Sequence, residues 1–234
     1  MLASIFSLNV IQTALELGCI YALVALALFL SYSILNIADL STDGCFTLGC
    51  AVACQVALTG HPFLALLAAM AAGVCSGFIT AFLQTRLGLS IRATGDNAAM
   101  VRASSINPAF TITVGLCISG ALTALSGGLL AQYQKSCDIN VGTGMVTIAL
   151  ASLIIGETLV GKRTMVRRVL GVVFGSCLYR FIVAVALRFN VPAAAMKLVS
   201  AIIVAVAISM PAIREKIAFE KRRSAARQAR KERV

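Results

Sequence analysis

Apolar residues run along this chain in long blocks, parted by short polar connections. A membrane-spanning helix needs about 20 largely apolar residues. Five blocks reach that length: Asn9–Leu30, Phe63–Leu83, Ala109–Ala131, Val169–Leu187 and Ala193–Ile213. Two more, Gly44–Leu58 and Met145–Val160, are shorter. They predict short or tilted spans, or broken and re-entrant helices, whose backbone must be buried by protein. The pattern predicts an all-α polytopic membrane protein with about seven transmembrane or partly re-entrant helices. A transmembrane domain covers 1–213, with a polar loop at 86–107, and a basic tail covers 214–234. No tandem repeat stands out.

Composition narrows the class. The chain is 59% hydrophobic and 12% charged, with no Trp and a mean hydropathy of +0.94. A soluble domain is about 25% charged, so an ordinary soluble enzyme and a disordered chain are both excluded. The net charge is +11. Past Pro211, nine basic residues stand against three acidic ones. Beside so much apolar sequence, that tail predicts a cytoplasmic end near anionic lipid. Its single aromatic, Phe219, is too little for stacking on bases, so no nucleic-acid partner is expected.

The basic residues also set an orientation. Arg86, Arg92 and Arg102 share one connection, and Lys162, Arg163, Arg167 and Arg168 share another. The alternate connections hold only Lys135, then Arg188 and Lys197. The rich connections are expected in the cytoplasm. Seven crossings put the N-terminus outside and the tail inside; a re-entrant Gly44–Leu58 would move only the N-terminus. The first apolar block has no basic flank before it and no small-residue cleavage site, so it is read as a retained helix.

Eight cysteines show no C-x-x-C spacing, and most lie in apolar blocks as small hydrophobes; neither a disulfide framework nor a metal site is expected. Gly73–Gly77 and Gly171–Gly175 are G-x-x-x-G patterns, which permit close helix contact or a dimer face. His61, before Pro62, is expected in an external turn.

Ionisable groups within spans call for a reason. Glu16, Glu157 and Arg180 are the clearest, as intramembrane polar groups or translocation-path residues. Equal depth from one face predicts a Glu16–Arg180 ion pair, while Glu157 is expected to snorkel or to bond Lys162 or Arg163. Asp39 and Asp43 precede an apolar block and are expected to cap its helix, with solute contact as the alternative. Within 86–107, Thr94 or Asp96 could cap a short helix over Asn97–Ser104. A compact polar helix between spans suits docking of a soluble partner.

The string Ile91-Arg-Ala-Thr-Gly-Asp-Asn97, with Met100 and Arg102, resembles a cytoplasmic loop of branched-chain amino-acid ABC importer permeases. Tyr32–Gly44, Leu129–Gln134, Leu150–Glu157, Val166–Arg168 and Leu178–Arg180 are similar to other segments of that family, closest to its tryptophan/tyrosine solute subgroup. Family members carry extra spans between segments like Phe82–Thr85 and Arg86–Leu89, so this chain looks internally shortened. The subgroup often has a basic residue where Ser33 stands here. The resemblance implies a permease domain in the bacterial cell membrane. Its partners would be ABC ATP-binding subunits, an extracytoplasmic solute-binding protein, a second copy or sister permease, and membrane lipid. It also implies that Arg92, Asp96, Asn97, Met100 and Arg102 form a coupling helix on the ATPase. No Gly-x-x-x-x-Gly-Lys-Ser/Thr loop is present, so ATP chemistry would belong to the partner, with no enzyme activity and no cofactor expected in this chain. The alternatives are a secondary carrier or channel, and a shortened permease that no longer transports.

Overall fold

A computed structural model describes residues 8–35, 39–92, 108–161 and 164–188, with four isolated positions among 202–209. The described residues form six α-helices: α1 (Leu8–Leu28), α2 (Thr42–Ala57), α3 (Pro62–Arg92), α4 (Pro108–Gln134), α5 (Met145–Val160) and α6 (Met165–Arg188). A π-helical turn, Phe29–Ile34, extends α1, and a 3-10 turn, Ile139–Gly142, precedes α5. Five stretches are long and apolar enough to cross a membrane: Asn9–Ile34, Pro62–Phe82, Ile112–Gln134, Ile139–Val160 and Met165–Leu187. The chain is thus an all-helical, multi-pass membrane protein. The seventh block, Ala193–Ile213, lies outside the described residues apart from those four positions, and so do the helix proposed over Asn97–Ser104 and the tail. Helix α3 continues through Arg92, well past its apolar span.

Helix α4 is the centre of the bundle, the most buried of the spans, and α3 the least. Hydrogen bonds fix the directions. Ser119 and Ser126 of α4 donate their hydroxyls to the Ala27 and Ile20 carbonyls of α1, at 3.0 and 2.6 Å. As one residue number rises the other falls, so α1 and α4 are antiparallel. Ser176 of α6 donates to the Gly18 carbonyl, while Arg168 meets Phe29, so α6 is antiparallel to α1 as well. Gln132 reaches the Pro62 carbonyl, and Gly73 packs on Gly120, which sets α3 antiparallel to α4. Helix α2 runs parallel to α4: the Cys45 thiol donates to the Gly120 carbonyl, and Gly49 packs on Ala124. Gly156 and Gly175 of α5 and α6 meet Gly171 and Ser152, again antiparallel.

These directions reveal a repeat that letters alone conceal. Helices α1–α2–α3 form a long, short, long unit, and α4–α5–α6 form another of opposite sense. Exchanging the units maps each main contact onto another: α1 on α6 onto α3 on α4, α2 on α4 onto α5 on α1, and α2 on α3 onto α5 on α6. Each short helix follows described residues outside any α-helix, 39–41 before α2 and 135–144 before α5. Such inverted repeats are a recurrent transporter architecture, with broken helices near the midplane.

The core joins both units. Tyr21, Val24, Leu28 and Phe29 pack with Phe46, Leu130, Met145, Ala149, Leu153 and Val172. The Tyr21 and Phe46 rings stack, centroids 6.1 Å apart. The Gly73–Gly77 pair faces α4, and the Gly171–Gly175 pair faces α5. Both patterns serve close helix contact within this chain, the first of the two readings, rather than a dimer face.

Candidate functional site

The intramembrane polar groups occupy three places. The first is the meeting point of the two short helices. Asp39 is buried and closes the turn before α2: its Oδ1 accepts from the Ser41 N–H and hydroxyl at 3.0 and 2.6 Å. Asp43, in the first turn of α2, does something the sequence did not announce. Its carboxylate accepts the Gly144 N–H at 3.0 Å and the Val146 N–H at 2.9 Å. It therefore caps α5, not its own helix, and its charge favours the positive end of the α5 dipole. Gly144 holds φ +85°, a conformation that favours glycine. A Cβ on Gly142 would strike Thr47 and the Asp43 carbonyl. Since Cys45, half a turn on, bonds to the middle of α4, both short helices begin inside the bundle. That favours the broken-helix reading of the two short blocks.

The second place is the end of the bundle where α5 meets α6. Arg168 Nη2 lies 3.0 Å from Glu157 Oε1, and its guanidinium stands 5.6 Å from the Phe29 ring centroid. Glu157 is buried. The sequence suggested Lys162 or Arg163 as its partner; those residues lie outside the described ones, and Arg168 fills the role.

The third place corrects an expectation. Glu16 and Arg180 make no ion pair. Glu16 accepts from Gln12 at 3.0 Å and from the Tyr133 hydroxyl at 3.1 Å. Arg180 instead lies over the Tyr21 ring, 3.3 Å from its centroid. The two residues do lie at similar depth, because Gly18 abuts Cys177. The azimuth was missed: five residues from 16 to 21 turn the helix by about 140°, from the α4 side to the α6 side.

His61 is exposed in the α2–α3 turn. All eight cysteines are free thiols. Of the coupling residues, Arg92 ends α3, and Asp96, Asn97, Met100 and Arg102 lie outside the described residues.

Two stretches, 10–87 and 78–208, match the family described as branched-chain amino acid transport system / permease component. The chain belongs to that family. The two matches meet at 78–87, where the resemblance places the missing block. A tyrosine transport system permease protein of Clostridioides difficile (strain R20291) is 35% identical over 131 residues, 56% of this chain and 44% of the relative. The chain thus spans under half the length of that relative. An uncharacterized protein of Rickettsia prowazekii (strain Madrid E) is 23% identical over 274 positions, 86% of this chain and 98% of the relative. That alignment exceeds the 234 residues here, as it must if the relative holds a block this chain lacks. No solved structure matches this chain.

Proposed function

We propose that this chain is the membrane-spanning subunit of an ATP-driven ABC importer for a small organic solute, an amino acid. One observation carries the reading beyond family membership: two inverted three-helix units whose short helices meet inside the bundle at Asp43. Inverted repeats joined at broken helices are suited to exposing a solute path alternately to the two sides. Tyrosine or a related amino acid is the solute class, by similarity to the clostridial permease.

The helix directions support the orientation. The connections 93–107 and 161–164 follow the ends of α3 and α5 that share one end of the bundle; the starts of α1 and α3 lie at the other. The basic end is the cytoplasmic one, with the C-terminal tail on that side. An ATP-binding subunit would dock there on Arg92, Asp96, Asn97, Met100 and Arg102. A solute-binding protein would dock on the opposite end, and a second permease would complete the pathway. Asp39, Asp43, Glu16, Glu157 and Arg180 are the polar groups along or beside that path.

The test is reconstitution with the candidate ATP-binding subunit. The expected result is co-purification and stimulated ATP hydrolysis, with solute uptake when the binding protein is added. Asp96→Lys and Met100→Glu should uncouple hydrolysis from uptake while the chain still inserts. Stimulated hydrolysis without uptake by the unmodified chain would favour the shortened, transport-inactive reading, which the join at 78–87 makes specific. Uptake that needs no ATPase would instead identify a secondary carrier.

A further inference from the structure

We propose that Arg180 anchors an oxyanion, the carboxylate of the transported solute, in the seam between α1 and α6. The inference rests on the importer reading above and gives it a recognition site.

Arg180 lies within the span Met165–Leu187, about 10 Å from its end at 1.5 Å per residue. Its guanidinium is pressed on the Tyr21 ring, and its Nε is sealed from solvent with no acceptor. The adjoining Tyr179 hydroxyl is likewise buried without a partner. Every acidic side chain among the described residues is engaged elsewhere. Glu16 holds Gln12 and Tyr133, Asp39 holds Ser41, and Asp43 holds the start of α5. Asp138 accepts from the Asn140 N–H, and Glu157 pairs with Arg168. A cation at this depth without a counter-ion among the described residues leaves a place for an anion from outside the chain.

The surroundings suit a small amino acid. A cleft of about 370 Å³ opens between the same two helices, lined by Asn9, Val10, Thr13, Ala184 and Leu187. Arg180 is not among its lining: Ala184 sits one turn beyond it on the same face of α6, so the guanidinium lies deeper than this cleft, which opens at the Asn9 and Leu187 ends of the two spans. The volume is that of a small-ligand site. A guanidinium matches a carboxylate in shape and charge, and a phenol adds one donor. A lipid phosphate offers the same chemistry. The solute is preferred because phosphates lie at the membrane surface, whereas the Arg180 guanidinium stands over Tyr21, twelve residues into the span Asn9–Ile34.

The experiment measures equilibrium binding of L-tyrosine and of tyramine, which lacks the carboxylate, to the full chain in lipid nanodiscs. The unmodified chain should bind L-tyrosine and discriminate against tyramine. Arg180→Gln should weaken L-tyrosine binding about 10- to 100-fold and abolish the discrimination. Arg180→Lys should recover part of both, and Tyr179→Phe should weaken binding by a smaller factor. If Arg180→Gln fails to fold, the Lys and Phe variants carry the comparison. L-tyrosine binding unchanged in these variants overturns the proposal, as does an unmodified chain that binds neither compound. An anionic lipid retained by the unmodified chain in native mass spectrometry, lost from Arg180→Gln while L-tyrosine binding persists, would reassign the cation to lipid and equally overturn it. ATPase stimulation is scored separately, so a failed importer reading is distinguished from a failed site.

Discussion

Asp43 links two helices through one carboxylate. Its own helix supplies the position, and the helix it caps supplies both donors, 101 and 103 residues along the chain. Hydrogen bonds to a charged group contribute about 1.5–3 kcal/mol each. With two such bonds, Asp43→Ala should destabilise the fold by about 3–6 kcal/mol, with Asp43→Asn between it and the unmodified chain. Unfolding in detergent monitored by circular dichroism checks this, and an Ala variant as stable as the unmodified chain would refute the cap. The Glu157–Arg168 pair obeys a different rule. Breaking a buried pair from one side leaves a charge behind and costs about 3–5 kcal/mol, while replacing both partners with apolar residues is often neutral. Glu157→Gln and Arg168→Met should each lower the melting temperature, and Glu157→Leu/Arg168→Met should restore most of it. An equal loss in the double variant would show that the pair is not the source.

Helices here approach through glycine. A Cβ on Gly73 would overlap the Gly120 backbone, and one on Gly156 would overlap Gly171. Leucine at either site must push two helices apart, with overpacking of at least about 1–3 kcal/mol. Gly44, near the start of α2, has open space where its Cβ would stand. Gly44→Ala should be neutral or stabilising by up to about 1 kcal/mol. Folded yield and unfolding midpoint separate these outcomes; equal tolerance at Gly73 and Gly44 would contradict the close contact. The helices themselves were legible. Met145–Val160 coincides with α5, and Phe63–Leu83 lies inside α3, because length and apolarity suffice to define a span. The partner of Asp43 was not legible, since nothing local to Gly142-Thr-Gly144 shows which carboxylate waits there. The Glu16–Arg180 expectation failed for a related reason: charge positions give depth, but the facing side of each helix depends on neighbours such as Tyr133 and Tyr21.

At the scale of the molecule, the two units of opposite sense fix which connections share an end. The turn at 58–61 and the stretch from Lys135 to Asp138 lie together, at the end of the bundle opposite the C-terminal ends of α3 and α5. Single cysteines introduced near Asn140 and Asn190, in a background lacking the native eight, should react with an impermeant maleimide from outside. Cysteines near Asn97 and Arg223 should react only after permeabilisation. External labelling at Asn97 would invert the orientation and remove the basis for docking an ATPase there. Lys and Arg alone yield the expected orientation that this labelling tests; the inverted relation of the units was not legible, because opposite sense leaves no shared order of residues to compare.

The capping of α5 by Asp43 bears on how the chain is made. When α3 has left the ribosome, Asp43 has no N–H groups to receive it, for those of Gly144 and Val146 are not yet translated. The first unit then carries an uncompensated charge inside the membrane, where burial without a partner is unfavourable. The nascent first half is thus expected to depend on the second for its stability. A chain ended after α3 should turn over rapidly in cells, and supplying α4–α6 as a separate polypeptide should slow its degradation. Equal lifetimes with and without the second fragment would show that the halves mature independently.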